Sequence, residues 1–415
     1  MSPSPRAALY LALAALSALI VPVEVAALAF LAVLGATAAD AASARRVVEA
    51  RRRMPERMWR GVPATLLVEV ESRAPGEILV RQPVPPKMDV VPSESTAPLE
   101  AVVVARSRGR HVMPAPGVRT EGALRLGRWF HRAGQDVEVV VYPDMPAAHR
   151  LVLAVRRGRF GESGWHSKGP LGIGTDFESI REYLPDDDVR QINWRATVRM
   201  GKPMSNQFRL DQDREVMCVV DSGRLMTAPV ADRTRLDAAL DAVVSVAAVA
   251  DEIGDRCGGL AVASTVIRHI PPRRAGGRGL VNGLFDLEPL AVDTDYELAF
   301  RTIGGGKRSL VILFTDIIDE AAARGLIESV PILTRRHEVV IAGVRDDELE
   351  EVVQTSQPDE HTGYAAVIAR DVLDARRRVA QKLRHAGAEV VEASVDALGS
   401  RCVAAYLRAK SRARL

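Results

Sequence analysis

Two carboxylates stand where an α/β protein keeps its chemistry. EVMCVVD (215–221) and SLVILFTD (309–316) are apolar runs that each end in an aspartate, Asp221 and Asp316. If both runs are parallel strands of one sheet, their carboxyl ends open on the crevice where such sheets bind ligands. Three kinds of chemistry suit a pair of aspartates there. They are hard oxygen ligands for Mg²⁺; they are proton acceptors or donors for catalysis; or they cap loops by accepting backbone N–H bonds. The residues alone leave these three open.

Other chemistries are poorly served. No nucleophile, base and orienting group recur at a recognisable spacing, and the eight histidines are scattered without metal-site spacing. GGGKRS (304–309) has the composition of a phosphate loop. Arg308 follows its lysine, however, and the glycines lead into a strand rather than a helix. GIGTDF (172–177) has G-x-G only, with no strand leading into it. Cys218, Cys257 and Cys402 make neither a zinc spacing nor an even disulfide set, and two of them read as thiols buried in apolar runs. A net charge of +3 over 415 residues gives no case for a nucleic-acid partner.

The elements that must position Asp221 and Asp316 follow from residue 216 onward. Beside the two aspartate-tipped strands, GLAVAST (259–265), HEVVIAG (337–343) and AEVVEAS (388–394) read as strands. RLDAALDAVVSVAAVADEI (235–253), 371–387 and 400–412 read as helices. This alternation predicts a doubly wound, Rossmann-like α/β domain over 216–415. Before it, 156–215 is polar and Gly-rich, with Asp186, Asp187 and Asp188 among Arg181, Arg190, Arg195 and Arg199. Those charges suit either an internal salt-bridge network or a polar docking surface. Residues 56–155 hold short Val-rich runs at 64–70, 99–105 and 136–143 between prolines and glycines. They predict a small antiparallel, sandwich-like β module.

Residues 7–39 carry one charge, Glu24, beside Pro22. A single span would bury that carboxylate in hydrocarbon. Two short helices over 7–21 and 25–39 instead place the VPVE turn at the far surface, so a transmembrane hairpin with a basic juxtamembrane segment is expected over 1–55. Arg6 before it, and Arg45, Arg46, Arg51, Arg52 and Arg53 after it, orient the bulk of the chain to the cytoplasm of a multi-pass cell-membrane protein. A cleaved signal peptide is the rival reading, and the arginine run argues against export.

One longer pattern adds to this. Gly174, Phe177, Ile180, Arg181, Glu182, Tyr183, Pro185, Asp187, Asp188, Arg190, Asn193, Trp194 and Arg195, followed by a strand and DSGRLM, resemble the domain of unknown function 58 family. The resemblance implies a von Willebrand factor A-like domain and a partner, a MoxR-type AAA+ ATPase, with which the chain acts as an adaptor on a client protein. It also implies a comparison with the Mg²⁺ site of that fold, built on D-x-S-x-S, a Thr and a further Asp. Asp221, Thr294 and Asp316 match three ligands, whereas Gly223 and Leu225 replace both serines. The expectation is therefore a non-enzymatic membrane-anchored scaffold with a degenerate metal site. A hydrolase at the Asp221/Asp316 crevice and an envelope structural protein without an ATPase are the alternatives.

Overall fold

In a computed structural model of the chain, the described residues are 2–46, 48–157, 171–184, 189, 192–209, 214–303, 307–317, 320–354 and 360–411. Residues 171–179, 207–209 and 360–362 are described by backbone only. The chain forms two compact units, Met1–Tyr142 and Pro143–Leu415.

The first unit opens with β1 (Ser2–Pro3), then α1 (Pro5–Leu16), a 3₁₀ turn (Ser17–Leu19) and α2 (Val23–Ser43). Ser4 caps α1 by accepting from the Ala7 N–H, and Pro5 suits the first helical position. At 21 residues, α2 is long and apolar enough to cross a membrane, whereas α1 is shorter. The sequence predicts two arms of similar length. The second runs on to Ser43 because its last turns have a docking site: the Asp40 carboxylate accepts from the N–H groups of Leu124, Leu126 and Gly127 at 2.8–2.9 Å. A side chain at 127 would lie 2.2 Å from the Ala41 nitrogen, so glycine there permits the close approach.

Eleven more strands complete the unit: β2 (Val48–Arg53), β3 (Arg57–Trp59), β4 (Ala64–Ser72), β5 (Ile78–Arg81), β6 (Met88–Val91), β7 (Glu94–Thr96), β8 (Leu99–Ala105), β9 (Gly109–Met113), β10 (Gly117–Glu121), β11 (Gly127–Arg132) and β12 (Val137–Tyr142). They make three sheets, ordered β2-β4-β8-β6, β1-β11-β10-β5-β7 and β3-β12-β9, which share one core. Alternation is clear in β8, where Leu99, Ala101, Val103 and Ala105 point inward. The expected all-antiparallel pairing fails at one place, since β3 and β12 run parallel. Arg51, Arg52 and Arg53, expected in a juxtamembrane segment, lie in β2, and Arg52 donates to the carbonyls of Pro114 and Gln135.

The second unit starts with α3 (Met145–Arg156), capped by Asp144. An antiparallel ribbon of β13 (Leu171–Glu182) and β14 (Met204–Arg209) follows, with α4 (Trp194–Met200) between its strands. Then come β15 (Glu215–Asp221), the short pair β16 (Pro229–Val230) and β17 (Arg233–Thr234), α5 (Arg235–Ile253), β18 (Arg256–Val262) and β19 (Val266–Arg274). After these lie α6 (Gly277–Leu284), α7 (Tyr296–Ile303), β20 (Leu310–Phe314), α8 (Arg324–Thr334), β21 (Glu338–Val344), α9 (Asp347–Gln354), α10 (Glu360–His385), β22 (Glu389–Ala393) and α11 (Leu398–Ser411).

The central sheet is ordered β19-β18-β15-β20-β21-β22, parallel except for β19. Counted within the sheet this is 3-2-1-4-5-6, a doubly wound order whose switch point lies between β15 and β20. Val216, Cys218 and Val220 face one core with α5, α6 and α11; Met217 and Val219 face the other with α7, α8 and α10. Burial on both faces explains the unbroken apolar runs. β19 escapes the sequence reading because it is a half-exposed edge strand carrying Pro271 and Pro272.

At the other end of the sheet His337 is buried, and its Nδ1 accepts from the Ser309 hydroxyl at 2.9 Å. Burial, then the charges of Arg336 and Arg308, lower its pKa. The neutral ring is thus favoured by folding, and the unfolded chain binds the proton more tightly. Stability contributed here is complete above the unfolded value of about 6.5 and is lost as pH falls through the folded value. Urea midpoints measured between pH 8 and pH 5 should fall more steeply for the wild type than for His337→Gln, whose amide oxygen still accepts from Ser309. Equal slopes would remove His337 from the acid response.

Candidate functional site

Asp221 ends β15 at the switch point, and Thr315 and Asp316 follow β20 beside it. The third contributor is the segment leading into α7, fixed by Leu290 and Arg224 N–H bonds to the Ser222 and Val292 carbonyls and by the Asp295 N–H bond to Ala263. It brings Thr294 and Tyr296 to the aspartate. A cavity of about 420 Å³ opens here, lined by Asp221, Gly223, Arg224, Leu225, Asp293, Thr294 and Tyr296, with Ala321 and Ala322.

Asp221 is buried, and protein donors surround its carboxylate. Oδ1 accepts from the Gly223 N–H at 2.7 Å and from the Thr294 hydroxyl. Oδ2 is reached by the Tyr296 hydroxyl at 2.8 Å and the Thr315 hydroxyl at 2.7 Å. A carboxylate offers about four lone-pair sites, so these donors use them up. Thr315 points away from Asp316, as alternation along the chain requires, and that direction carries it to Asp221. Burial, and then the Asp221 charge, push the Tyr296 phenol well above its ordinary pKa. Tyr296 therefore stays protonated and donates.

Asp316 does not join this group. Arg235 Nη1 lies 3.1 Å from its Oδ1, and Arg376 Nη2 lies 3.1 and 3.2 Å from its two oxygens. Arg235 also donates to the Val344 carbonyl at 3.0 Å and to Asp346 at 3.0 Å. Burial raises the Asp316 pKa, with the two guanidiniums opposing it. Both oxygens act as acceptors, which is the ionised pattern.

These residues do not fit Mg²⁺. The ion requires oxygen ligands in near-octahedral geometry, yet the oxygens of Asp221 are taken by donors and Asp316 is neutralised by two arginines. Gly223 fits the same picture: a Cβ there would lie 2.3 Å from Thr294 Oγ1 and 2.8 Å from the Val292 carbonyl oxygen. A serine ligand at that position has no room. Among the described residues no group of three or more His, Cys, Asp or Glu side chains converges as a metal site. The expected trio of Asp221, Thr294 and Asp316 thus separates, with the first two in direct contact and the third in an ion-pair network. The Asp221 carboxylate keeps no lone pair free for a bound molecule, and that of Asp316 is neutralised by two guanidiniums.

The motif residues fall into four groups. Asp187, Asp188 and Arg190 lie outside the described residues. Asn193 is architectural: its side-chain oxygen accepts from the Ala196 N–H to cap α4, and its amide donates to Asn206 of β14. Arg181 donates to the Glu182 carbonyl, Glu182 pairs with Lys202 at 2.9 Å, and the Tyr183 N–H bonds the Pro203 carbonyl. Trp194 and Arg195 are exposed, Trp194 by 67%, and Val198, one turn further along α4, is exposed by 84%. The sequence did not decide between core and interface for Trp194; the structure puts it outside. It also missed Tyr364, Val367 and Ile368, an exposed apolar stripe on α10. Their i, i+3, i+4 spacing was the available signal.

Removing Asp316 takes from Arg376 the carboxylate it pairs with and leaves Arg235 only Asp346 and the Val344 carbonyl, so Asp316→Ala should cost about 3–5 kcal/mol of stability in urea unfolding. Millimolar Mg²⁺ should shift the melting temperature of neither protein. A rise with Mg²⁺ in the wild type that Asp221→Asn abolishes would contradict this account of the site.

Comparison with known proteins places the ribbon and the sheet together. A family model described as "Protein of unknown function DUF58" matches residues 179–389, from β13 into β22. Uncharacterized proteins of Mycobacterium tuberculosis and Mycobacterium bovis are each 23% identical over 244 residues, covering 54% of this chain and 76% of the relative. A cohesin module from a Clostridium perfringens family 33 glycoside hydrolase matches at 9% identity and a TM-score of 0.16, covering 23% of this chain and 97% of that module. The family match takes in Asp221, Arg235, Asp316, Arg376 and Trp194. This chain belongs to the DUF58 family, whose function is unknown.

Proposed function

We propose that this protein is a membrane-anchored adaptor whose second unit, a von Willebrand factor A-like domain, docks on a MoxR-type AAA+ ATPase and presents a client to it. The observation that carries the reading is the exposed pair Trp194 and Val198 on α4. Four residues apart, they share one face of the helix, and Asn193 holds that helix by its polar cap rather than by a packed core. Large apolar groups left outside in this way, with Arg195 and Arg199 beside them, have the composition of interface anchors. The saturated Asp221 carboxylate in the crevice favours recognition at a surface over turnover in the cavity.

The sheet order with its antiparallel β19 accords with the von Willebrand-type reading. For the membrane, the reading takes α1 with its 3₁₀ turn and α2 as a hairpin, and the flanking arginines orient the second unit to the cytoplasm.

Tagged full-length protein drawn from native membranes in mild detergent should recover an AAA+ ATPase. Loss of a tryptophan anchor typically costs about 2 kcal/mol or more, roughly thirtyfold in affinity. Trp194→Ala and Val198→Asp should therefore lose most of the partner while keeping the wild-type melting temperature. Recovery of no ATPase would overturn the partnership. Undiminished recovery with Trp194→Ala would move the docking surface away from α4.

A further inference from the structure

The foot of the two N-terminal helices is built into the β module without a linker. Ser4, directly before α1, donates its N–H to the Leu126 carbonyl at 2.8 Å and its hydroxyl to the Arg125 carbonyl at 2.6 Å. At the other arm Asp40 holds the N–H groups of Leu124, Leu126 and Gly127, and Thr120 donates to the Ala44 carbonyl at 2.8 Å. One loop, 122–126, therefore lies at the base of both helices.

The helices above that base are short. α1 and its 3₁₀ turn have 12 and 3 residues, a rise of roughly 24 Å. From Val23 to the buried Thr37, α2 rises roughly 21 Å. A bilayer has a hydrocarbon core of about 30 Å. If the turn at Val21–Glu24 reaches the far headgroups, the foot has no spare length and is drawn into the near headgroup layer, with local thinning of the bilayer.

The residues at the foot suit that layer. Leu124 is 63% exposed at the loop tip, and Arg6, Arg45, Arg46 and Arg125 are all exposed around it. The Arg45 guanidinium lies 5.2 Å from the centre of the Trp129 ring, a pairing of cation and amphipathic aromatic common at membrane interfaces. Of the nearby carboxylates, Asp40 is buried on three N–H groups, Glu121 is buried against Arg128 at 2.8 Å, and Glu77, whose carbonyl accepts from the Glu121 N–H, is exposed and offsets one of the four arginines.

We propose that this foot is a lipid-binding surface: Leu124 inserts between headgroups, and Arg6, Arg45, Arg46 and Arg125 bind the phosphates of anionic phospholipids. The proposal rests on the membrane reading of α1 and α2 given above. It adds a lipid preference and assigns a role to a loop more than 70 residues beyond the helices.

All three native thiols are buried, so a fluorophore on Leu124→Cys reports on this site. The full-length labelled protein is reconstituted in vesicles of equal parts phosphatidylglycerol and phosphatidylcholine, with one or the other lipid brominated. Brominated phosphatidylglycerol should quench several-fold more than brominated phosphatidylcholine. Each arginine near a charged surface is worth about fivefold in binding, so glutamine at the four arginine positions should bring the two lipids to parity. A chain that resists carbonate extraction while its label stays water-like and unquenched by either lipid would overturn the foot proposal and leave the anchor standing. Extraction of the whole chain by carbonate would instead overturn the anchor. A label shielded from aqueous iodide in native membranes but not in the protein-free lipid of the vesicles would assign the surface to a protein partner and overturn the lipid proposal.

Discussion

A buried carboxylate needs its charge answered nearby, and at the carboxyl edge of the central sheet two guanidiniums answer it. Asp316 accepts from Arg235, at the start of α5, and from Arg376, inside α10. Arg235 goes on to the Val344 carbonyl at the end of β21 and to Asp346 beyond it. One ion cluster thereby ties the end of β20 to a helix on each face of the sheet and to the neighbouring strand. Such a cluster contributes little over a well-packed apolar substitute, but breaking it by removing one member is costly. It fixes where α5 and α10 begin and pass, and so the shape of the edge on which the crevice sits.

Asp221 shows the complementary solution. No guanidinium contacts it among the described hydrogen bonds; a backbone N–H and three hydroxyls supply the donors. Donor hydrogen bonds to an ionised carboxylate are stronger than neutral ones, and four of them hold β15, the end of β20 and the entry to α7 in one arrangement. Gly223 is a condition of that arrangement, because any side chain there would displace Thr294. The crevice at the switch point has a fixed polar floor. Its mouth is edged by Arg224 and Asp293, which pair with each other in solvent. A ligand entering it meets groups that already have partners, so the cavity alone offers little binding energy.

How much of this was legible in the sequence depended on the range of the interaction. β15, β20 and β21 were readable because burial on both faces leaves only apolar residues between their ends. α5 was readable from the helical period of its apolar residues over 235–253. β19 and α8 were not, since each carries proline inside an element, at Pro271 and Pro272 and at Pro331. α3 follows the last run read as strand, 136–143, inside the stretch to 155 that was assigned to the β module. For the site, the resemblance implied Asp221 and Thr294 as ligands of an ion, whereas in the structure they are hydrogen-bond partners of each other. Arg235 and Arg376 stand 81 and 60 residues from Asp316. Nothing local marks either as the group that takes the place of a cation, and their roles exist only once the sheet has assembled.

The distribution of satisfied and unsatisfied groups gives the molecule its functional direction. Inside the second unit the Asp221 and Asp316 carboxylates are held by protein donors, while the buried Ser222 Oγ, Arg235 Nε and Arg376 Nε have no hydrogen-bond partner among the described residues. Outside it, Trp194 and Val198 on α4, and Tyr364, Val367 and Ile368 on α10, are large apolar side chains left in contact with water. Exposure of this kind is unfavourable for an isolated protein, at roughly 25 cal/mol for each Å² of apolar surface. Covering it would release free energy in proportion to the apolar area removed from water. α4 is short and its cap is polar, so the ribbon can present Trp194 without adjustment of the sheet beneath it. Any molecule that buried this face would gain apolar contact against a helix held by the Asn193 cap and the Asn193–Asn206 bond.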